Sequence, residues 1–424
     1  MNKAHLVIIG NGMASSRLLR ETLALDTKRY HITVFDQEPH GSYNRIMLSP
    51  VLADEIAADE ILINPAHWYE QQGINLHTND PVTAINRLNK TVTSKQGLTV
   101  AYDKLVIATG SQPTVPPVAK TCTLEGVLSF RNLRDVAQIK EQSVKSDRAL
   151  VIGGGLLGLE AAYGLSRQGA KVTVLHRADW LLNRQLDKTA GTLLKQTLEN
   201  KGIEIKLGVE ATEFIGDKKI ETAALSDGTV LAVQQVVIAI GITPNTALAE
   251  NAGLNYERGI LVNHKLQTCD PDIYALGECC QFGQETFGLV APIWDQTRVL
   301  ANQLCANGQS SYQVNPTATK LKVSGIDLYS AGEYLNRDDT EANIFYDRSQ
   351  GTYKKLLFRR NKLVGAVLYG AVQDGNWYFD LIQQQTDTRS LRPHIIFGRD
   401  FTEQKTQQNL ATAAITPTTA TASN

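Results

Sequence analysis

Short apolar runs that stop on a glycine punctuate the chain. The run 149–152, A-L-V-I, meets Gly153, Gly155 and Gly158 at G-x-G-x-x-G spacing and passes into the helix-forming L-E-A-A. A buried strand, a tight turn and a helix start are predicted there. The chain opens the same way: 5–9 is predicted as a buried strand that runs into Gly10 and Gly12, with Ser15 in the third position. Further strands are predicted over 31–35, 102–108, 171–175, within 229–245 and over 273–277. Helices are predicted over 59–72 and over 289–304, the latter with Pro292 in its first turn. Over 315–400 the pattern changes to alternating strand segments separated by turns such as R-R-N-K, which predicts a small α+β domain with an antiparallel sheet.

Glycines at this spacing serve a dinucleotide. The first permits the turn, the second lets the backbone approach a pyrophosphate, and the third lets helix and strand pack closely. The helix N-terminus offers its unpaired N–H groups and partial positive charge to the phosphates. One such turn is weak evidence, but two in one chain suggest two nucleotides held by one protein. Ser15 adds only a small side chain, so the helix is expected slightly further from its strand.

After the first turn, Asp36 ends the second predicted strand and Glu38 follows. An acid there accepts hydrogen bonds from ribose hydroxyls, with Asp36 the first candidate and Glu38 the second. Arg45, in S-Y-N-R-I-M-L-S, has two readings, a bidentate clamp on the diphosphate or a surface salt bridge. The strand 102–108 ends in A-T-G-S, where Ala108, Thr109 and Gly110 allow close backbone approach to a ligand. Pro113, Pro116 and Pro117 then mark an exit from the first domain. In the second unit, A-I-G-I-T-P-N around Gly241 is the parallel turn. There the second strand ends in His176 and Arg177 instead of an acid. A base at this point accommodates a 2′-phosphate, so Arg177 leans toward NADPH; an Arg177 that points to solvent leaves the site to NADH. Glu278, in G-E-C, is expected near the isoalloxazine or ribityl end of a flavin, and the N–H groups that open the helix 289–304 near its pyrimidine edge.

Composition narrows the partners. With 424 residues, 42% hydrophobic and 20% charged, the chain has the profile of a globular protein of two to three domains. A net charge of -1 provides no bulk field for nucleic acid or an anionic membrane. No secretory leader is evident and no apolar run approaches a membrane span, so a cytoplasmic protein is expected. The tail 403–424, rich in Thr, Ala and Gln without periodicity, is expected to be disordered. Cys122, Cys269, Cys279, Cys280 and Cys305 form no C-x-x-C, so neither a redox dithiol, a disulfide framework, an iron–sulfur cluster nor another metal site is expected. The adjacent Cys279 and Cys280 are expected to pack structurally.

Several motifs together carry a resemblance: V-I-I-G-N-G-M-A, Y-N-R-I-M-L-S, Y-D-K-L-V-I-A-T-G-S, I-G-G-G-L-L-G-L-E-A-A, R-Q-L-D, A-I-G-I-T-P-N, I-Y-A-L-G-E-C, G-L-V-A-P and T-K-L-K-V-S-G. Over about residues 4–400 the chain resembles the pyridine nucleotide–disulfide oxidoreductase superfamily. Within it, the chain is most similar to the FAD/NAD(P)H region of bacterial nitrite reductase large subunits and to electron-transfer subunits of assimilatory nitrate reductase. The resemblance implies FAD at Gly10, Gly12, Asp36, Arg45, Ala108, Thr109, Gly110, Arg131 and Glu278, and a nicotinamide nucleotide at Gly153, Gly155, Gly158 and Glu160, with Glu160 near the nicotinamide amide. His176 looks typical of the nitrite reductase branch, and Arg177 is the unusual residue. Pro50 stands where related ferredoxin and rubredoxin reductases carry a lysine near the flavin. No cysteines for a cluster module or a siroheme domain are present, so the chain alone is not expected to reduce nitrite.

The expected fold is α/β: two Rossmann-like domains, one inserted in the other, plus a small α+β domain. The expected boundaries are 1–115 with 256–312 for FAD, 116–255 for NAD(P)H, 313–402 for the interface domain and 403–424 for the tail. The expected activity is hydride transfer from NADH or NADPH to FAD and onward electron transfer to a partner protein. That partner is an assimilatory nitrate or nitrite reductase, or alternatively a rubredoxin or ferredoxin. No side-chain acid or base is required for the hydride step. A flavin-binding regulatory or assembly subunit without turnover is the reading from another class.

Overall fold

The structure is a computed structural model that describes residues 3–405 apart from 307 and 324. The chain divides into two compact units. The first comprises 1–153, 161–172 and 211–315, the second 154–160, 173–210 and 316–424.

The first unit is organised on a five-stranded parallel sheet. Its order is Ile273–Ala275, Lys104–Ile107, Ala4–Ile9, Tyr30–Phe35 and Ile74–His77. These strands are continuous apolar runs because both faces are covered: Leu6, Val7, Ile8, Val34, Phe35, Leu105, Val106 and Ile107 are wholly buried. The helices Met13–Leu25 and Val290–Cys305 contribute Leu18, Leu19, Leu300 and Leu304 to the same core. The strand Ile273–Ala275 returns to this sheet's edge, beside Lys104–Ile107, from far along the chain.

A second parallel ladder runs through this unit. The strand Gln235–Ile238 lies between Val127–Ser129 and Arg148–Ile152. A three-stranded antiparallel meander precedes one strand of each ladder, Val82–Ala101 before Lys104–Ile107 and Ala211–Ala232 before Gln235–Ile238. The same succession of elements therefore occurs twice.

The second unit holds Thr173–His176, the end of the strand Lys171–His176, paired parallel with Glu204–Leu207, and the helix Lys188–Asn200. It also holds a five-stranded antiparallel sheet formed by Ala318–Val323, Ile326–Gly332, Lys362–Tyr369, Thr352–Arg359 and Glu341–Asp347, in that order. The helix Gly375–Gln384 packs Tyr378, Leu381 and Ile382 onto this sheet. The architecture is the expected α/β arrangement with a small antiparallel α+β domain.

One predicted helix is not formed as expected. Within 59–72 the structure has a strand, Leu62–Asn64, and only then a helix, Ala66–Gln71. Pro65 caps that helix and cannot continue one from upstream. Ser42–Tyr43 supplies the strand's partner, and the Asn64 amide donates to Ser16 while its oxygen accepts from Arg20. Of the predicted tail, 403–405 continue a helical turn; the rest lies outside the described residues.

Candidate dinucleotide sites

Gly10 leaves the first strand with φ +100°, and a Cβ on it would lie 2.3 Å from the Ala108 carbonyl oxygen. Only glycine fits this crossing. A Cβ at Gly12 would meet nothing within 4 Å, so the turn is walled on one side and open on the other. Gly12 starts the helix Met13–Leu25 without any side-chain cap, and its first turn carries no acid. Its first N–H groups therefore lack an intrahelical partner and face an anion well. Ser15 does not loosen the turn: it is wholly buried, and its hydroxyl donates to the Gly10 carbonyl at 2.5 Å. The hydroxyl replaces close packing with a hydrogen bond.

A polar network runs away from this turn. Glu38 receives the Arg45 guanidinium on one carboxylate oxygen and the Tyr43 hydroxyl on the other, the latter at 2.7 Å. Arg45 also donates to the Arg131 carbonyl at 3.2 Å and lies over the Tyr43 ring, 4.9 Å from its centroid. Arg45 thus forms a salt bridge, though a largely buried one and not the surface pair expected. Arg131 in turn pairs with Glu278, and Ser111 joins both at 2.9 and 2.8 Å. Asp36 stays outside the ion pairs. Burial, reinforced by the charge of Glu38, pushes its carboxyl up to about 6.

The turns A-T-G-S and A-I-G-I-T-P-N meet. Ser111–Pro113 pairs antiparallel with Ile242–Pro244. Asn245 donates its amide to the Thr109 carbonyl at 2.8 Å and its backbone N–H to the Gly110 carbonyl at 3.0 Å. Sequence reasoning missed Asn245 and Ser111. The signal was present in the matching glycine turns at the ends of two parallel strands. It also missed Gln296, whose buried side-chain oxygen accepts the Gly277 N–H at 2.7 Å, one residue before Glu278.

Three buried donors in this region have no hydrogen-bond partner among the described residues: Asn11 Nδ2, between the two glycines, Arg131 Nε and Gln296 Nε2. Unpartnered buried donors are costly. The uncapped helix, the open face at Gly12 and these donors fit the diphosphate and polar edge of a dinucleotide.

The second glycine turn repeats the first. Gly153 has φ +128°, and a Cβ on it would lie 2.2 Å from the Ala239 carbonyl oxygen. A Cβ at Gly155 would meet nothing within 4 Å. Gly155 accepts from the Leu159 N–H at 3.0 Å and so opens the helix Leu156–Arg167, which carries Gly158, buried, and Glu160, half-buried. Gly241, with φ +125°, has open space where a Cβ would stand. At the end of Lys171–His176 the His176 ring turns inward and uses both nitrogens on the protein, whereas Arg177 is exposed. Neither cysteine of the adjacent pair is reactive by environment. Cys279 and Cys280 are wholly buried, unbridged, and burial pushes both thiols up. No group of His, Cys, Asp and Glu able to hold a metal occurs among the described residues.

With the two turns and the C-terminal sheet in place, comparison with known proteins gives the class. The chain belongs to the pyridine nucleotide-disulphide oxidoreductase family, matching it over residues 4–300. Residues 317–386 match the rubredoxin NAD+ reductase C-terminal domain. Among curated relatives, a nitrite reductase [NAD(P)H] of Bacillus subtilis is 41% identical over 91% of this chain and 48% of its own length. The assimilatory nitrate reductase electron transfer subunit of the same organism is 38% identical over 93% of this chain and 51% of its own. The chain thus spans about half the length of the curated relatives it matches. Among solved structures, the covalent putidaredoxin reductase–putidaredoxin complex superposes with a TM-score of 0.85 at 25% identity, covering 98% of this chain and all of that one.

Proposed function

We propose that the chain is an electron-transfer reductase that draws hydride from NADH or NADPH into bound FAD and delivers electrons to a partner redox protein. The observation that carries this reading is the pair of glycine turns, Gly10–Gly12 and Gly153–Gly155, each closed on its strand side and open where a phosphate would approach. FAD, when bound, supplies the conversion of a two-electron donor to one-electron delivery.

The protein's part is binding and orientation. Gly10, Gly12, Ser15 and the uncapped helix they open would hold the FAD diphosphate. Asp36 would take the ribose hydroxyls, because both oxygens of Glu38 are engaged by Arg45 and Tyr43. Ala108, Thr109 and Gly110, fastened by Asn245, would line the flavin with Arg131 and Glu278. Gly153, Gly155, Gly158 and Gly241 would admit the nicotinamide nucleotide, with Glu160 at its nicotinamide end and Arg177 at its ribose. No proton donor is assigned, since hydride transfer requires alignment and not acid–base help. In domain terms, 1–115 with 256–312 would carry FAD, 116–255 the nicotinamide nucleotide, and 313–402 an interface.

The partner is an assimilatory nitrate or nitrite reductase, supported by the names of the two Bacillus relatives. A rubredoxin or ferredoxin is the second reading, favoured by the C-terminal domain match and by a NADH-rubredoxin oxidoreductase of Clostridium acetobutylicum, 29% identical over 93% of its own length. A cytoplasmic location belongs to the same reading; among the described residues no helix is long and apolar enough to cross a membrane. The test is turnover of the FAD-loaded protein with NADH or NADPH and an artificial one-electron acceptor. Steady reduction is expected. Flavin binding with no turnover would favour a regulatory or assembly subunit.

A further inference from the structure

The second glycine turn is held by a side chain. The Gly154 N–H donates to His176 Nδ1 at 3.2 Å, and the ring's Nε2 meets Asn183 Oδ1 at 3.2 Å. A Cβ on Gly154 would lie 2.6 Å from His176 Cγ and 2.7 Å from Leu181 Cδ2, so ring and turn are in direct contact. The segment that carries Asn183 is tied back to the same glycine, because the Leu182 N–H donates to the Gly154 carbonyl at 3.0 Å. Further along, Ser330 donates to the Gln185 carbonyl at 2.6 Å. Asp187 caps the helix Lys188–Asn200 and accepts from Tyr353 and Lys355 at 2.7 and 3.0 Å. Strands of the C-terminal sheet therefore hold the segment that holds the ring that holds the turn.

We propose that His176 is a positioning residue of the nicotinamide-nucleotide site, fixing the Gly153–Gly155 turn through a single tautomer that exists only while the imidazole is neutral. This deepens the proposed function and rests on its assignment of the nucleotide to that turn. The tautomer follows from the contacts. A backbone N–H can only donate, so Nδ1 must carry a lone pair. Nε2 then carries the proton and donates to the Asn183 amide oxygen. A second proton, which would have to enter at Nδ1, removes the acceptor and sets N–H against N–H. Burial already holds the ring's pKa below its ordinary 6.5, and the charge of Arg177 acts in the same direction. The segment 178–187 brings Asp179 and Arg184 as well, but its hydrogen bonds to the ring are with neutral groups, the Asn183 side chain and the Trp180 backbone, and these two oppose the lowering by burial. The Gly154 N–H is thus spent on the ring, and the N–H groups of the helix opening at Leu156 are left for the diphosphate.

The experiment measures NAD+ binding to the FAD-loaded protein by calorimetry between about pH 8 and 5, the range in which an imidazole titrates. NAD+ leaves the flavin oxidised, and its diphosphate keeps its charge across this range. Wild-type Kd is expected to be level near pH 8 and to rise as pH falls below 6.5. His176→Asn keeps a side-chain oxygen within reach of the Gly154 N–H, so it should bind within a few-fold of wild type near neutrality and lose the acid-side rise. His176→Leu should bind roughly tenfold more weakly throughout, the effect of a lost hydrogen bond. If His176→Leu does not fold, the profile of His176→Asn decides alone. A wild-type Kd level across the range, or an asparagine variant with the wild-type slope, overturns the inference and leaves the nucleotide site standing. Absence of NAD+ binding at every pH removes the site and the inference together.

Discussion

Glu38 and Arg45 form an ion pair whose second carboxylate oxygen is closed by the Tyr43 hydroxyl. The pair sits beside Asp36, the carboxyl that would receive the ribose in the proposed function. Replacing Arg45 by Gln should cost the flavin-free protein about 2 kcal/mol, because a half-buried carboxylate loses its charge partner. The check is urea unfolding, with the Glu38→Gln/Arg45→Gln double variant recovering part of the loss. Losses in the single variants Arg45→Gln and Glu38→Gln that simply add up in the double variant would mean that the pair itself contributes nothing.

Asp36 gives a pH dependence of known sign. Its folded-state value is about 6 against an ordinary 3.8, so the folded flavin-free protein binds this proton more tightly than the unfolded chain. The associated stability is present below 3.8 and is lost as pH rises through 6. Asp36→Asn should therefore stabilise the flavin-free protein at pH above 6 by up to about 3 kcal/mol, with little change in acid, while weakening FAD binding. Melting at both ends of this range and an FAD titration test the two halves separately. An asparagine variant that binds FAD as wild type does would move the ribose elsewhere.

These relationships mark how far the sequence could be read. The two strand–turn–helix units were legible because Gly10 and Gly153 must sit where a Cβ would strike a carbonyl, and apolar runs precede both. The antiparallel sheet was legible from its alternating pattern. The ion pairs were not, since Arg131 and Glu278 are 147 residues apart and neither has a local signature. The strand Leu62–Asn64 was lost inside a predicted helix because its reason for being extended is a distant partner, Ser42–Tyr43. The sequence places His176 only at a strand end of the second unit, and the fold turns its ring onto Gly154.

Arg177 is exposed at the end of its strand, and in the proposed function it would be the base that takes a 2′-phosphate. Arg177→Glu should worsen kcat/KM for NADPH relative to NADH by roughly ten- to hundredfold, the value of a charge-assisted contact of about 1.5–3 kcal/mol. Steady-state kinetics with both nucleotides measures the ratio. An unchanged ratio places Arg177 in solvent.

Cys279 and Cys280 donate only to carbonyl or amide oxygens within the core. Serine at either position keeps a donor of similar size, so acceptor reduction should stay within about twofold of wild type and stability should fall by about 1 kcal/mol. Collapse of turnover with flavin still bound would return a thiol step to the reaction.

The most direct test of the central claim is an anaerobic titration of the FAD-loaded protein with NADH and, separately, NADPH, following the visible flavin absorbance. Bleaching by either nucleotide at near-stoichiometric amounts is the predicted result, and the one effective at lower concentration names the physiological donor. Flavin bands that persist in excess of both nucleotides would contradict a reductase and leave the second glycine turn without the role assigned to it.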